Sequence, residues 1–464
     1  MRRSAAFLSL IAVLLISAVA AFGDGTTGSE ADKPQSDKLT WEVPCDMTMA
    51  VQPLLARGYL PIQQKARGAQ KPHLALLRLA DGKIMWSIEL SSDVAAINAE
   101  KDIITLALSD RIAAVTFLEG KVLWQEPVQG ILDAGWQTSP RFKQSQWFSD
   151  LRTCGQGIGG VLFMMKGRVY ITVGGILYAF DAASGKEIWE QKYGFSLSFP
   201  ILGMNGLVFA ASNEGLTAYN ADTGSLVWRD EDLKRSDPIF VIDDELYAAD
   251  DVGFLKLNPS TGKAIWTQDI KRDSAENLYA FENRLVLQRD ADVWVLDRAT
   301  GDKVWSEETG HQLSAYSNGR VFLLGREGGD IQCYSVKAGD YAWHTGYAQN
   351  NLGRVFAAGS VVIATNGFGV VAYDAEKGEM LWQRQAPPGE LFDTATWAAS
   401  DKAVYYKSAG WVYGCDPRKG SWVTAVTGHF FFVHWMWTNG EGLFLHSGDP
   451  GLSTIGGLFV KDKR

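Results

Sequence analysis

Residues 177–189 read Leu177-Tyr-Ala-Phe-Asp-Ala-Ala-Ser-Gly185-Lys-Glu-Ile-Trp189, an apolar segment followed by a turn, a glycine and a tryptophan. The same phrase occurs nine times in the chain, ending at Trp86, Trp124, Trp189, Trp228, Trp266, Trp305, Trp343, Trp382 and Trp422. Successive tryptophans are 38, 65, 39, 38, 39, 38, 39 and 40 residues apart. A period this regular indicates a repeat architecture in which each copy is one supersecondary unit.

Each copy is typical of antiparallel sheet. Its apolar runs are short, rich in Val, Ile, Leu, Tyr and Phe, and separated by turn signals, which favours strands over helices. A short polar residue begins the turn in most copies, and it is Asp181, Asn220, Asn258, Asp297, Asp374 or Asp416. Such a side chain can accept a hydrogen bond from the backbone two residues on, and the glycine that follows predicts a positive φ. The Asn-Gly pairs at 205–206, 318–319, 366–367 and 439–440 predict tight hairpins.

A single sheet of this length cannot bury both of its faces, whereas radial stacking of such sheets can. We therefore predict an all-β fold over residues 39–464, a β-propeller of four-stranded antiparallel blades in which each tryptophan packs against the next blade. Trp41 in Leu39-Thr-Trp-Glu-Val43 resembles an isolated last strand, and residues 430–460 resemble a blade that lacks one. The two ends are expected to complete one blade and so to leave no free sheet edge.

The repeat also resembles that of a known family. Ala218-Tyr-Asn220-Ala-Asp-Thr223-Gly224-Ser-Leu-Val-Trp228 is similar to the repeat of pyrroloquinoline-quinone-like (quinoprotein-type) β-propellers, and the resemblance covers about residues 40–460. It implies eight blades, although the nine phrases leave nine or ten open. The family includes quinone-dependent dehydrogenases, sensor domains of kinases and the BamB scaffold of outer-membrane β-barrel assembly, which this chain is closest to in character.

The N-terminal residues predict export. Met1-Arg2-Arg3 followed by an apolar run with Ala18-Val19-Ala20 is typical of a signal peptide over residues 1–20, and an uncleaved membrane anchor is the alternative. Residues 21–38 are then a flexible polar tether, and the propeller is periplasmic or secreted. No cysteine follows the apolar run to carry a lipid, so we expect membrane association only through a partner or through an uncleaved signal. The net charge is −9 without a basic patch, which argues against nucleic acid as a partner.

The reactive residue types form no recognisable site. Cys333 and Cys415 occupy equivalent positions two repeats apart, which predicts separate buried thiols, whereas Cys45 and Cys154 lie outside the regular strands. An oxidising compartment would permit a disulfide between Cys45 and Cys154. The acidic groups Asp243-Asp244-Glu245 and Asp250-Asp251 are expected at hairpin ends as solvated turn residues, with calcium ligation as the alternative. His429 and His434 are five residues apart, which places them on opposite faces of a strand. We therefore predict no catalytic residues, no metal ligands and no cofactor.

One interruption of the period is the main candidate for function. The step from Trp124 to Trp189 carries an insertion at about residues 130–157. It contains aromatic and cationic residues among polar ones, namely Trp136, Arg141, Phe142, Lys143, Trp147, Phe148 and Arg152. All of these except Lys143 are our candidate partner-binding residues, since such side chains are enriched where proteins recognise partners. The alternative is an insertion that only covers one face of the propeller.

Two functions remain open from the sequence. The first, which the resemblance to BamB implies, is a non-enzymatic scaffold that binds an envelope protein partner in cell-envelope or outer-membrane protein assembly. The alternative is a quinoprotein dehydrogenase that uses pyrroloquinoline quinone and calcium, or another propeller with a small ligand in its funnel. The scaffold is favoured, because the chain lacks the cofactor motifs that the dehydrogenases of this family carry.

Overall fold

The computed structural model describes most of the chain after residue 37. The described residues are 38–49, 52–65, 71–128, 152–153, 159–160, 162–173, 175–192, 201–212, 214–233, 239–249, 253–270, 275–289, 292–307, 310–325, 330–346, 354–365, 369–386, 392–408, 411–427, 433–438, 441–447 and 454–459. The predicted signal peptide and tether lie outside them.

The described part of the chain consists almost wholly of strands, with one short helix, α1 (Gln52–Leu55). The first strands are β1 (Trp41–Pro44), β2 (Met47–Thr48), β3 (Tyr59–Gln64), β4 (His73–Arg78), β5 (Ile84–Glu89), β6 (Ala96–Glu100), β7 (Ile103–Ala107), β8 (Arg111–Thr116), β9 (Val122–Pro127), β10 (Arg152–Thr153), β11 (Gly159–Gly160), β12 (Leu162–Met165), β13 (Arg168–Val173), β14 (Ile176–Asp181) and β15 (Glu187–Lys192). The next are β16 (Ile201–Met204), β17 (Leu207–Ser212), β18 (Gly215–Asn220), β19 (Leu226–Asp230), β20 (Ile239–Ile242), β21 (Glu245–Ala249), β22 (Phe254–Leu257), β23 (Ala264–Gln268), β24 (Ala275–Phe281), β25 (Arg284–Arg289), β26 (Asp292–Asp297) and β27 (Lys303–Glu307). The last are β28 (His311–Ser317), β29 (Arg320–Gly325), β30 (Asp330–Ser335), β31 (Tyr341–Gly346), β32 (Arg354–Ala358), β33 (Val361–Thr365), β34 (Gly369–Asp374), β35 (Met380–Gln385), β36 (Phe392–Ala399), β37 (Val404–Ser408), β38 (Trp411–Cys415), β39 (Trp422–Thr427), β40 (Val433–Thr438), β41 (Gly442–Ser447) and β42 (Thr454–Phe459).

These strands form ten antiparallel sheets, which are the blades of the propeller. Blades 1 to 9 follow one another along the chain as β2–β5, β6–β9, β12–β15, β16–β19, β20–β23, β24–β27, β28–β31, β32–β35 and β36–β39. Blade 10 combines β40, β41 and β42 with β1, which pairs with β42 from Trp41 opposite Gly457 to Pro44 opposite Thr454. The prediction that the two ends complete one blade is therefore confirmed.

A separate hydrophobic cluster fills each of the ten interfaces between neighbouring blades. The cluster that contains Leu60, Ile62, Phe444 and Ile455 joins blade 10 to blade 1, so the ring is closed. The expectation of eight blades is wrong, because nine phrases and one split blade give ten.

Trp41 and eight of the nine phrase tryptophans connect consecutive blades. A Cβ atom added to the turn glycine of each blade from 1 to 9 would lie closer than 3.0 Å to an indole ring of the preceding blade. These pairs are Trp41 with Gly82, Trp86 with Gly120, Trp124 with Gly185, Trp189 with Gly224, Trp228 with Gly262, Trp266 with Gly301, Trp305 with Gly339, Trp343 with Gly378 and Trp382 with Gly420. Seven of these indole N–H groups also donate to a backbone carbonyl of the following blade, at 2.7 to 3.2 Å.

Trp422 is placed differently from the other phrase tryptophans. It pairs with Cys415 at the start of β39, and Thr424 occupies the position four residues after the turn glycine that tryptophan holds in the other blades. The Trp422 ring packs on Tyr413 of its own blade and lies beneath the Arg384 guanidinium of blade 8, 4.0 Å from its centre. The next blade explains this placement, because β42 and β1 come from the two chain ends and no phrase turn joins them.

The turn chemistry expected from the sequence is present. Asp181 accepts hydrogen bonds from the N–H groups of Ala183 and Ser184, and Asn220, Asp297, Asp374 and Asp416 do the same in their turns. The side chain of Asn258 accepts from the N–H group of Ser260. The turn glycines have φ between 64° and 80° in the nine blades with this turn. Asn205-Gly206 and Asn318-Gly319 are hairpins with positive φ at both residues, whereas the pairs at 366–367 and 439–440 lie outside the described residues.

Candidate functional site

The described strands between blades 2 and 3 pair with two other blades, blade 6 and blade 4. The insertion leaves the last strand of blade 2 at Pro127, yet β10 pairs with β24 of blade 6, with Arg152 opposite Ala280 and Thr153 opposite Tyr279. β11 pairs with β16 of blade 4, with Gly159 opposite Leu202 and Gly160 opposite Ile201. The chain then enters blade 3 at Leu162.

Both pairings lie at the central channel. The first strands of neighbouring blades contact one another, for example β6 with β12, β16 with β20 and β28 with β32, so these strands surround the propeller axis. β24 and β16 are the first strands of blades 6 and 4, and β10 and β11 are added on the side away from the second strands. The insertion, through β10, therefore supplies a fifth, innermost strand to blade 6, and the segment directly after it, through β11, supplies one to blade 4. No sequence signal predicts that β10 and β11 pair at these inner edges, because a strand of two residues shows no hydrophobic periodicity.

The structure tests little of the predicted partner-binding set. Trp136, Arg141, Phe142, Trp147 and Phe148 lie outside the described residues, and of Arg152 only the backbone pairing with Ala280 is described. Their role in binding stays a prediction.

Three of the four cysteines are described, and all three are buried. Cys333 and Cys415 are fully buried in blades 7 and 9, and burial raises the pKa of Cys333 to about 11 and that of Cys415 to about 12. Such thiols remain protonated and unreactive at neutral pH. Cys45 is buried beside blade 1, and its carbonyl oxygen lies 3.1 Å from Nε2 of His446. Cys154 lies outside the described residues, so its disulfide with Cys45 stays a prediction.

The acidic hairpin 243–245 connects two blades. Asp243 and Asp244 form the turn between β20 and β21, with φ of 48° and 61°. Arg298 of blade 6 contacts Asp243 at 3.0 Å and Glu245 at 2.5 Å, and Lys256 contacts Glu245 at 2.5 Å. Burial alone would raise the pKa of Glu245, but hydrogen bonds from Lys256, Tyr247 and Arg298 outweigh it and lower that pKa. The Asp243 and Glu245 carboxylates are paired with cationic side chains, which does not fit a calcium site, since such a site needs six to eight oxygen ligands.

The remaining metal candidates give no site in the described part of the chain, where no three His, Cys, Asp or Glu side chains are grouped to hold an ion. Asp250, Asp251 and His429 lie outside that part, and of His434 only its backbone in β40 is described. Among the described residues, no helix has the length and apolarity needed to cross a membrane.

The outer rim is a second candidate surface. Among the described residues, all the exposed large apolar side chains lie on the last strand of a blade or in the turn before it. They are Leu118, Val122, Leu123, Ile188, Leu226, Val227, Ile265, Tyr341 and Met380. In blades 2 to 5 they include the residue directly before each tryptophan, which the β-bulge in that strand turns outward.

Comparison with known proteins agrees with this architecture. A family model described as outer membrane protein assembly factor BamB matches residues 135–291, 213–316 and 289–427, which together span more than half of the chain. The chain belongs to this family. The three matches begin 78 and 76 residues apart (213 − 135 and 289 − 213), which is two repeat lengths, as expected for matches to a self-similar array.

Individual relatives in this fold are distant. The structure of BamB from Moraxella catarrhalis is 15% identical, with 64% of this chain and 96% of that chain covered and a TM-score of 0.37. The computationally designed Ika8 protein is 12% identical, with 80% and 97% covered and a TM-score of 0.38. Quinohemoprotein alcohol dehydrogenase ADHIIG from Pseudomonas putida HK5 is 15% identical, with 82% and 76% covered and a TM-score of 0.36. No curated protein matches the chain.

Proposed function

We propose that this protein is a non-enzymatic scaffold that binds a protein partner in the cell envelope, during outer-membrane protein assembly. The family match over residues 135–427 is the observation that carries the proposal, because the family is described by that assembly role. The apolar N-terminal run supports an extracytoplasmic location, periplasmic or secreted.

The architecture suits a scaffold. A closed ring of ten blades is a rigid support, and rigid supports that carry insertions are a common arrangement for protein recognition. β10 of the insertion pairs with the backbone of blade 6 and β11, directly after the insertion, pairs with that of blade 4, and such pairing is one of the ways in which extended protein segments are bound.

Affinity purification from the native envelope, followed by mass spectrometry, tests the proposal. We compare the wild type with a triple variant in the insertion, Trp136→Ala/Arg141→Ala/Trp147→Ala, and with a rim variant, Leu226→Ser/Ile265→Ser. A β-barrel assembly component should be recovered with the wild type and the rim variant, and lost with the insertion variant. The proposal fails if the wild type recovers no such component. If only the rim variant loses it, the partner binds the rim and the predicted insertion residues are wrong.

Thermal melting distinguishes the dehydrogenase alternative. Under the scaffold proposal, adding pyrroloquinoline quinone and calcium together should leave the melting temperature unchanged. A rise of several degrees would count against a scaffold, because a ligand that binds only the folded state must stabilise it.

A further inference from the structure

The outer strands of blades 6 and 7 meet in a cluster of aromatic side chains. Trp305, on the last strand of blade 6, stacks on Tyr334 of blade 7, with ring centroids 4.7 Å apart and planes inclined by 16°. The Tyr341 ring meets that of Tyr334 edge to face, at 5.5 Å and 74°. Tyr341 is 50% exposed, and it is the only aromatic residue among the exposed large apolar side chains of the described chain. Its ring therefore offers an open aromatic surface at the rim.

Polar side chains of β30 and β31 lie beside this ring. Gln332 pairs with His344 across the two strands, and Tyr334 pairs with Tyr341. The Tyr341 hydroxyl contacts Nδ1 of His344. Burial, and then the charge of Asp330, raise the pKa of that hydroxyl. Asp330 is therefore close enough for its charge to act on the exposed ring.

The Tyr334 hydroxyl has two acceptors for one proton. Nε2 of Gln332 donates to Asp330 at 3.0 Å, so Oε1 of Gln332 faces Tyr334. The Tyr334 hydroxyl lies 2.8 Å from that oxygen and 3.0 Å from Oε2 of Glu307 in blade 6. A hydroxyl carries one hydrogen, so it can donate to only one of these two oxygens. The other pair of oxygens has no proton between them, which favours a further hydrogen-bond donor or a cation at this point.

A guanidinium group fits this combination of an open ring and carboxylates. It is planar, stacks on aromatic rings and donates bidentate hydrogen bonds to carboxylates. A quaternary ammonium has no N–H group to donate, and the ammonium of lysine is a compact, strongly hydrated charge. A single cation on one exposed ring binds weakly, so the guanidinium must belong to a longer segment that makes further contacts.

We propose that this part of the rim binds an arginine side chain of a partner protein. The guanidinium lies on the Tyr341 ring and donates to Glu307, the carboxylate that competes for the Tyr334 hydroxyl. We call this the Tyr341 surface, and its side chains are Glu307, Asp330, Gln332, Tyr334, Tyr341 and His344. The inference does not rest on the proposed role in outer-membrane assembly, because it follows from side chains of blades 6 and 7 and not from the family match.

Histidine NMR of the full chain tests the proposal, because it detects weak binding. The chain has six histidines, so carbon-13 labelling of their Cε1 atoms gives a spectrum with few signals. The His344→Gln protein identifies the signal of His344. The probe is the acetylated and amidated peptide Ser-Gly-Arg-Gly-Ser. The same peptide with citrulline in place of arginine keeps the shape of the side chain without its charge, and choline supplies a cation without N–H groups.

The His344 signal should shift and saturate with the arginine peptide, and binding of the citrulline peptide and of choline should be about tenfold weaker. Tyr341→Ala should abolish the response, because it removes the ring. Glu307→Gln should weaken binding about fivefold, because it removes the charge of one acceptor. Met380→Ala is the matched control and should bind like the wild type, since Met380 is 58% exposed and precedes Trp382 as Tyr341 precedes Trp343.

A His344 signal that does not move, or saturable shifts confined to other histidines, would overturn the inference. Equal binding of the arginine peptide and either the citrulline peptide or choline would also reject it. Circular dichroism checks that each variant is folded. If Tyr341→Ala does not fold, the comparison of the three ligands on the wild type decides the question without it.

Discussion

The contact between a tryptophan and a glycine is the unit from which this propeller is built. The glycine serves two needs at once, since its φ is left-handed and the indole of the preceding blade occupies the space that a Cβ would take. Repetition of the phrase follows from this geometry, because each of blades 1 to 8 supplies both a ring to the following blade and a turn glycine against the ring of the preceding blade.

A comparison of two glycines measures separately the cost of a left-handed φ and the cost of a Cβ against the indole. Gly224 has φ of 70° and lies against Trp189, whereas Gly206 has φ of 81° and no neighbour within 4 Å of an added Cβ. Gly206→Ala should cost about 1–2 kcal/mol of unfolding free energy, the price of a left-handed alanine. Gly224→Ala should cost about 1–3 kcal/mol more, because the indole must move. Urea unfolding measures both, and equal losses would show that the ring is not held against Gly224.

The indole N–H groups provide a second matched pair. Trp124 donates to the carbonyl of Ala182 at 2.8 Å, whereas Nε1 of Trp266 is buried without a hydrogen-bond partner. Both Trp→Phe changes shrink the ring, but only Trp124→Phe also leaves a buried carbonyl without its donor. Trp124→Phe should therefore lose at least about 1 kcal/mol more than Trp266→Phe in chemical denaturation. A larger loss at Trp266 would contradict the assigned bonding.

At the scale of the element, hairpins of one blade reach the next. Glu100, at the end of β6 in blade 2, accepts the N–H groups of Lys166 and Gly167 in the first hairpin of blade 3, at 3.0 and 2.8 Å. In the opposite direction, Arg298, which follows β26 in blade 6, forms ion pairs with Asp243 and Glu245 in the β20–β21 hairpin of blade 5. Apolar packing between sheets is not directional. These polar contacts therefore fix the angle between neighbouring blades.

The Glu245 cluster makes this contact depend on pH. Because the pKa of Glu245 is lowered in the folded state, its contribution is present above the unfolded value of about 4.3 and is lost as pH falls through the folded value. Glu245→Gln should cost about 2 kcal/mol at pH 7 and much less near pH 3, by denaturant unfolding at each pH. The exposed Glu187→Gln is the control and should change little at either pH. A loss at Glu245 that persists undiminished at pH 3 would exclude the ionic contact as its cause.

At the scale of the whole molecule, the sequence predicts local geometry and the pairing of the two chain ends better than it predicts the number of blades. The phrase specified the strands, the turn and the glycine, because these depend on neighbours within a few residues. Blade number could not be read from the phrase, since one of the ten blades is assembled from the two ends and has no phrase turn. The spacing of 40 residues between Trp382 and Trp422 predicts that Trp422 is equivalent to the other tryptophans, yet Thr424 holds the equivalent position.

The pairing of the insertion likewise could not be predicted from neighbouring residues. Its composition indicates a candidate surface at residues 130–157, but the pairing of Thr153 with Tyr279, and of Gly160 beyond that range with Ile201, depends on which inner edges face the channel. That arrangement is set by the closed ring and not by any nearby residue. Sequence reasoning thus found the segment, whereas its site of attachment required the structure.

Closure itself rests on β1, which is the outer strand of blade 10. Trp41 donates to the carbonyl of Leu79 at 3.1 Å and its ring lies against Gly82, so this one strand pairs with β42 and docks on blade 1. Protein lacking residues 1–44 should melt well below protein lacking residues 1–37, because it loses the strand and exposes the edge of β42.

The exposed edge should also promote self-association, which light scattering after size-exclusion chromatography would detect. A peptide of residues 38–44 added in trans should restore part of the melting temperature. Equal melting of the two truncated proteins, both monomeric, would mean that the interface of Leu60 and Ile62 with Phe444 and Ile455 closes the ring without β1.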